Sequence, residues 1–189
     1  YDIPQDNLIF EPEGKNTAPS IALSAHLISL RDPLAKIAVL PCDHFIKNKK
    51  QFLNLLNKAF NHCDEELLIF GIPPSRPATG YVYIKADVES RFKNKGIYNV
   101  EKFCEKPPLK KAREFLKNKS YFWNGGVFIG SAKNFLKTFK IYLPNLYNQI
   151  SKIINSPDIN LIWDKIKPVS FDYGVLEKTK DILMLKAKG

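Results

Sequence analysis

Apolar positions along the chain fall into short runs separated by polar, proline-bearing breaks, and their spacing alternates between two periods. Asn7 to Phe10 predicts a short strand, followed by a turn-rich loop from Glu11 to Asn16. Asn16 or Thr17 then caps a helix carrying Pro19 in its first turn, with Ile21, Leu23, Leu27, Ile28 and Leu30 on its apolar positions, until Asp32-Pro33 stops it. The continuous run Lys36 to Leu40 predicts a strand buried on both faces, as in a parallel sheet. Phe52, Leu55, Leu56, Ala59 and Phe60 recur at helical spacing, and Leu67 to Ile72 is the next buried strand. Strand, helix, strand, helix, strand in that order predicts crossover units and an α/β sheet with helices on its faces.

The second half keeps the alternation. Tyr81 to Lys85 and Ile97 to Phe103 alternate as strands around a polar turn near Asn94-Lys95-Gly96; Leu109 to Lys119 is a helix, Gly126 to Ile129 a strand and Ala132 to Tyr142 a helix ended by Pro144. Helical spacing continues over 145–165 with a break near Ser156-Pro157, and a short turn-plus-helix from Phe171 leads to a strand at Asp181 to Leu185. No repeat or linker interrupts the 189 residues, so one domain over 1–189 is expected. No run approaches the ~20 apolar residues of a membrane span, and the first residues lack a signal-peptide pattern.

Composition sharpens this in two places. Cys42, Cys63 and Cys104 have no metal-ligand spacing, which points to free thiols in a reducing cytoplasm. The formal charge of +10 raises nucleic acid as a partner, but the excess is nearly all lysine spread along the chain. Base-reading surfaces favour arginine for its bidentate fork, so a lysine-rich surface around an anionic small-molecule site is the preferred reading.

Three constellations carry chemistry. Asp43, delivered by the run that ends at Pro41, can hold Mg²⁺ against phosphates or simply cap its turn; His44 beside it reads as structural. Gly14, Asn16, Thr17 and Ala18 form a loop-to-helix junction where backbone amides and a carboxamide can approach a base or phosphate, or can serve only as a helix cap. Gly80 and Tyr81, with Glu105-Lys106-Pro107 and Asn124-Gly125-Gly126, place a carboxylate, an ammonium and a carboxamide at strand edges. That set suits a phosphorylated polyol. Taken singly, each is an ordinary turn.

Together EPEGKNTAPSIALSA, VLPCDH, FGIPPSRPATGYVYI, VEKFCEKP, YFWNGGVF and SFDYGVLEKT resemble, in order, the blocks of nucleotidyltransferases that make nucleotide sugars, most closely the mannose-1-phosphate guanylyltransferases. The resemblance implies a Rossmann-like α/β fold, a mixed sheet with helices on both faces, incomplete at both ends. It implies GTP and a hexose 1-phosphate as substrates, Mg²⁺ as cofactor, and no membrane or nucleic-acid partner. By the same resemblance Asp43 matches a metal ligand, and Gly14, Asn16, Thr17 and Ala18 face the guanosine. Gly80, Tyr81, Glu105 and Asn124 surround the sugar, Lys106 meets its phosphate, and Asp172 and Lys178 lie in a further substrate block. The family's glycine-rich G-G-x-G-T-R-L-x-P loop and its second metal-binding Asp are not in this sequence, so the segment is expected to be a partial catalytic domain, weak or inactive alone. Val82 stands where the family usually has glycine. Another sugar-nucleotide pyrophosphorylase, or a non-catalytic sugar-phosphate-binding paralogue, fits the same blocks.

Overall fold

The computed structural model describes residues 2–89, 95–154, 156, 158–179 and 181–187. Helix α1, Thr17–Arg31, begins where the Asn16 carboxamide accepts a hydrogen bond from the Thr17 amide at 2.8 Å, and ends at an extended Asp32 ahead of Pro33. Strand β1 is Lys36–Val39, followed by α2, Lys49–Phe60, and β2, Leu67–Ile72. The hairpin strands β3, Val82–Asp87, and β4, Ile97–Glu105, precede α3, Leu109–Lys117, and the long β5, Tyr121–Ser131. Helices α4, Ala132–Tyr142, α5, Pro144–Ile153, and α6, Ile159–Trp163, lead to a π-helical turn at Asp172–Leu176 and to β6, Ile182–Lys186. No helix among the described residues is long and apolar enough to cross a membrane.

The six strands form one mixed sheet in the order β1-β5-β2-β6-β4-β3. Among the described residues only β2 and β6 run parallel; the other pairings are antiparallel. Because β5 also pairs with β3 through Tyr121 to Trp123, the ladders close a circuit from β5 through β2, β6, β4 and β3 back to β5. Side chains alternate across β2: Leu67 and Ile69 pack into a core with α1, α4, α5 and α6, whereas Leu68 and Phe70 pack into a second core with α2. Helices therefore cover both faces, as in the mixed α/β fold expected.

Three local expectations are corrected and a fourth is extended. β1 is half-exposed and pairs antiparallel with β5, not as a strand buried in a parallel sheet. An apolar run alone does not encode strand direction, and β5, arriving from far along the chain, inserts between β1 and β2. Asn7 to Phe10 form no strand; Gln5–Asn7 is a 3-10 turn and Phe10 is 78% exposed. Strand β5 starts five residues earlier than the glycines suggest, so Asn124, Gly125 and Gly126 lie inside it. Pro144 also opens α5 as its first residue, besides ending α4, because its missing amide is harmless there. Asn94 of the expected turn and Pro157 of the expected break lie outside the described residues.

Candidate active site

The end of β4 and the middle of β5 bring the sugar-side residues together. Val82 registers with Glu105, and the Lys106 amide donates to the Tyr81 carbonyl at 3.2 Å. Lys106 has φ 39°, a left-handed conformation costly for a side-chain-bearing residue, which turns the chain sharply just past the strand. Its ammonium stands 3.6 Å from the Glu105 carboxylate, and both side chains are open to solvent. Beside them Arg76 donates to the Tyr81 hydroxyl at 3.3 Å, and the Tyr81 ring meets Trp123 edge-on at 5.1 Å. Gly80 is exposed, and a Cβ there would meet nothing within 4 Å.

Asn124 is held at both ends of its carboxamide. Its oxygen accepts from the Gly126 amide at 3.0 Å and its nitrogen donates to Asp172 at 2.6 Å. Asp172 comes from the π-helical turn, 48 residues away in sequence. Burial pushes the Asp172 carboxyl above its ordinary range; its own backbone amide and Asn124 pull it down, and the Glu105 charge adds to the rise. Glu177, at the end of the same turn, is also raised, first by partial burial, then by the nearby Glu105 and Asp172 charges. Asp172 and Glu177 thus both lie near enough to Glu105 to feel its charge, with Asn124 bonded to Asp172 and Lys106 3.6 Å from Glu105. Lys178 lowers Glu177 but holds its ammonium 5.5 Å from the Tyr173 ring centre.

The loop expected to face a nucleotide is clamped to the same turn. The Thr17 hydroxyl accepts from the Phe171 amide at 2.8 Å, next to Asp172. Val169 donates to the Lys15 carbonyl and accepts from the Ala18 amide. Gly14, Asn16 and Thr17 are exposed, whereas Ala18 is fully buried with its amide engaged, which leaves it no free group to offer a ligand. Asn16 holds φ 69°. Below the loop, Lys15 is only 6% exposed: its ammonium donates to the Asp164 carbonyl at 3.1 Å and lies 3.4 Å from Glu13. The Trp163 indole donates to the Glu13 carbonyl at 2.8 Å.

Asp43 is exposed in the turn after β1. That turn returns to the site, since a Cβ on Gly126 would lie 3.4 Å from Pro41 and 3.7 Å from His44. Among the described residues no three His, Cys, Asp or Glu side chains are grouped to hold a metal. A lone hard-oxygen donor still suits Mg²⁺, which takes one or two carboxylates and completes its shell with phosphate oxygens and water. All three cysteines are free thiols: Cys42 exposed, Cys63 buried, Cys104 between.

Residues 3–165 match the family model described as nucleotidyl transferase. The chain belongs to that family. A mannose-1-phosphate guanylyltransferase of Escherichia coli is 35% identical over 191 residues, covering 95% of this chain and 41% of the relative. Among solved structures, a mannose-1-phosphate geranyltransferase from Thermus thermophilus superposes with TM-score 0.84 at 26% identity, over 95% of this chain and 52% of the other. A mannose-6-phosphate isomerase from Helicobacter pylori superposes with TM-score 0.78 at 27% identity, over 93% of this chain and 70% of the other. The chain therefore spans about two fifths of the length of the curated relatives it matches.

In this nucleotidyl transferase the expected residues Gly80, Tyr81, Glu105, Lys106, Asn124 and Asp172 share one rim, linked through Thr17 and Phe171 to the 14–18 loop and through Gly126 to the Asp43 turn. Glu177, Lys15 and Trp163 were not among the candidates. Glu177 follows Asp172 by five residues, about 1.4 turns of an α-helix, so helical spacing does not mark it; the π-helical turn is what brings it near Glu105. Nothing in the local sequence distinguishes Lys15 from the solvated lysines, because its burial comes from Trp163 and Asp164, about 150 residues away.

Proposed function

We propose that this chain carries the sugar-phosphate site of an enzyme that forms GDP-mannose and pyrophosphate from GTP and mannose 1-phosphate. The observation that carries this is the Asn124 to Asp172 hydrogen bond beside Glu105 and Lys106, which assembles acceptors for vicinal hydroxyls and a cation for phosphate on one rim. The reaction is in-line: an oxygen of the sugar phosphate attacks the α-phosphorus of GTP, a P–O bond forms, and the bond to the β,γ-diphosphate breaks with its electron pair leaving on pyrophosphate. No covalent enzyme intermediate is needed, and the protein contributes alignment and neutralisation of spreading charge.

In this scheme Lys106 neutralises the attacking phosphate, Glu105 and Asp172 accept from sugar hydroxyls, and Asn124 holds Asp172 in place. Gly80 leaves room for the ring beside Tyr81. Gly14, Asn16 and Thr17 face the guanosine, and Lys178 stays near the rim. Asp43 would hold Mg²⁺, which when bound screens the triphosphate. Three free thiols suit a reducing cytoplasm, and the absence of a spanning helix among the described residues is compatible with it.

Pyrophosphate release by the full-length gene product with GTP, mannose 1-phosphate and Mg²⁺ tests the proposal, with turnover expected in the ~1 to 10³ s⁻¹ range of ordinary enzymes. Binding of mannose 1-phosphate without turnover would instead support a non-catalytic paralogue, and preference for another nucleotide would support a different pyrophosphorylase. Lys106→Ala should raise KM for mannose 1-phosphate about tenfold or more while leaving KM for GTP nearly unchanged, as expected for losing one charge-assisted contact. Equal increases would refute the assignment of Lys106 to the sugar phosphate.

A further inference from the structure

Away from the site, α5 and residues 165–169 enclose an open groove of about 540 Å³. Its floor is apolar, formed by Leu143, Leu146, Ile166 and Val169; Asn145, Asn148 and Gln149 supply amides at the rim. Three lysines, Lys152, Lys165 and Lys167, complete the lining, and no carboxylate lines it. Among the described residues, the ammonium groups of Lys152, Lys165 and Lys167 have neither an ion pair nor a hydrogen bond. Gln149 spans the groove by donating to the Lys165 carbonyl at 3.1 Å, which holds the two walls at a set separation.

Three unpaired like charges around one concavity repel one another and raise the local potential, an arrangement relieved by a multiply charged anion. We propose that this groove is an effector site for a phosphorylated sugar, its phosphate held by Lys152, Lys165 and Lys167 and its hydroxyls by the amide side chains. The wall of the groove is also the backing of the active site. Leu143 and Val169 pack directly on Gly174, where an added Cβ would come within 2.9 Å of Leu143 and 3.0 Å of Val169. Gly174 belongs to the turn that carries Asp172, and the Val169 backbone pairs with Lys15 and Ala18 of the 14–18 loop. Occupancy that displaces Val169 is therefore transmitted to both sides of the rim, and by linkage a ligand there alters affinity at the rim.

Glucose 6-phosphate is the probe. Calorimetric titration of the full-length protein, saturated with mannose 1-phosphate to fill the rim, should show one remaining site. Lys152→Gln/Lys165→Gln/Lys167→Gln should weaken it at least tenfold without lowering the thermal midpoint, since all three residues are exposed. Asn124→Ala should weaken it far less than the triple substitution, since Asn124 does not line the groove. In steady state, glucose 6-phosphate should shift KM for mannose 1-phosphate in the wild type and not in the triple variant. No second site, a second site indifferent to the triple substitution, or sulfate binding as tightly as the sugar phosphate would overturn the proposal. So would binding without any KM shift. The calorimetric arm needs no turnover, so it stands or falls separately from the guanylyltransferase reading.

Discussion

Asn124 offers less to a ligand than its residue type promises. A carboxamide can donate twice and accept twice, but one donor is engaged by Asp172 and one acceptor position by the Gly126 amide. What Asn124 mainly supplies is a fixed Asp172. That carboxyl is raised by burial, so the native state holds its proton to higher pH than the unfolded chain, whose value is near the ordinary 3.8. The sign follows: in the window from about 3.8 up to the raised value the native state binds more protons, and stability falls as pH rises through it. Asp172→Asn, which keeps the acceptor for Asn124, should remove that segment of the pH dependence. Urea midpoints of both proteins from acid to neutral pH will show it; a wild-type-minus-variant difference that stays constant across the window would refute the burial argument.

At the scale of elements, β5 is the strand that defines the site. It pairs with β1, β2 and β3, and the register of its ladder with β2 shifts between Ile69 and Gly71, opposite Asn124. Two glycines make this path passable. A Cβ on Gly125 would sit 3.0 Å from the Phe70 carbonyl oxygen, a backbone atom that cannot move aside alone, and Gly126 adopts φ 63°. Gly125→Ala should therefore destabilise the fold by about 1–3 kcal/mol, as overpacking does, and disturb Asn124 with it. The outcome to look for is a lowered midpoint together with a raised KM for the sugar phosphate; an unchanged midpoint would mean the two strands separate without cost.

For the whole molecule, the sheet joins two cores, one on each of its faces. Ile69 faces the core under α1 and α4 and Leu68 the core under α2, and both are fully buried. Ile69→Ala and Leu68→Ala should each cost about 2–5 kcal/mol and lower the midpoint of one shared transition, because neighbouring residues of one strand cannot unfold separately. Two resolved transitions, each moved by only one substitution, would show the faces to be independent units.

The elements were largely legible in the sequence because each is written in local spacing: the 3.6-residue period of α2, the alternation of β3 and β4, the cap at Asn16 ahead of α1. The ordered blocks likewise pointed to a nucleotidyl transferase and to Glu105, Lys106, Asn124 and Asp172 as members of a site. What tertiary structure alone decided is everything that depends on who arrives from a distance. β1 became antiparallel because β5 lies beside it; Ala18 turned into the core and Lys15 became buried because residues 163–169 close over them; Asp172 met Asn124 across 48 residues. Hydrophobic period is a property of neighbours along the chain, and so it is present in the sequence. Strand direction, burial of a given lysine and the state of a carboxyl are set by packing between segments whose local patterns carry no mark of one another.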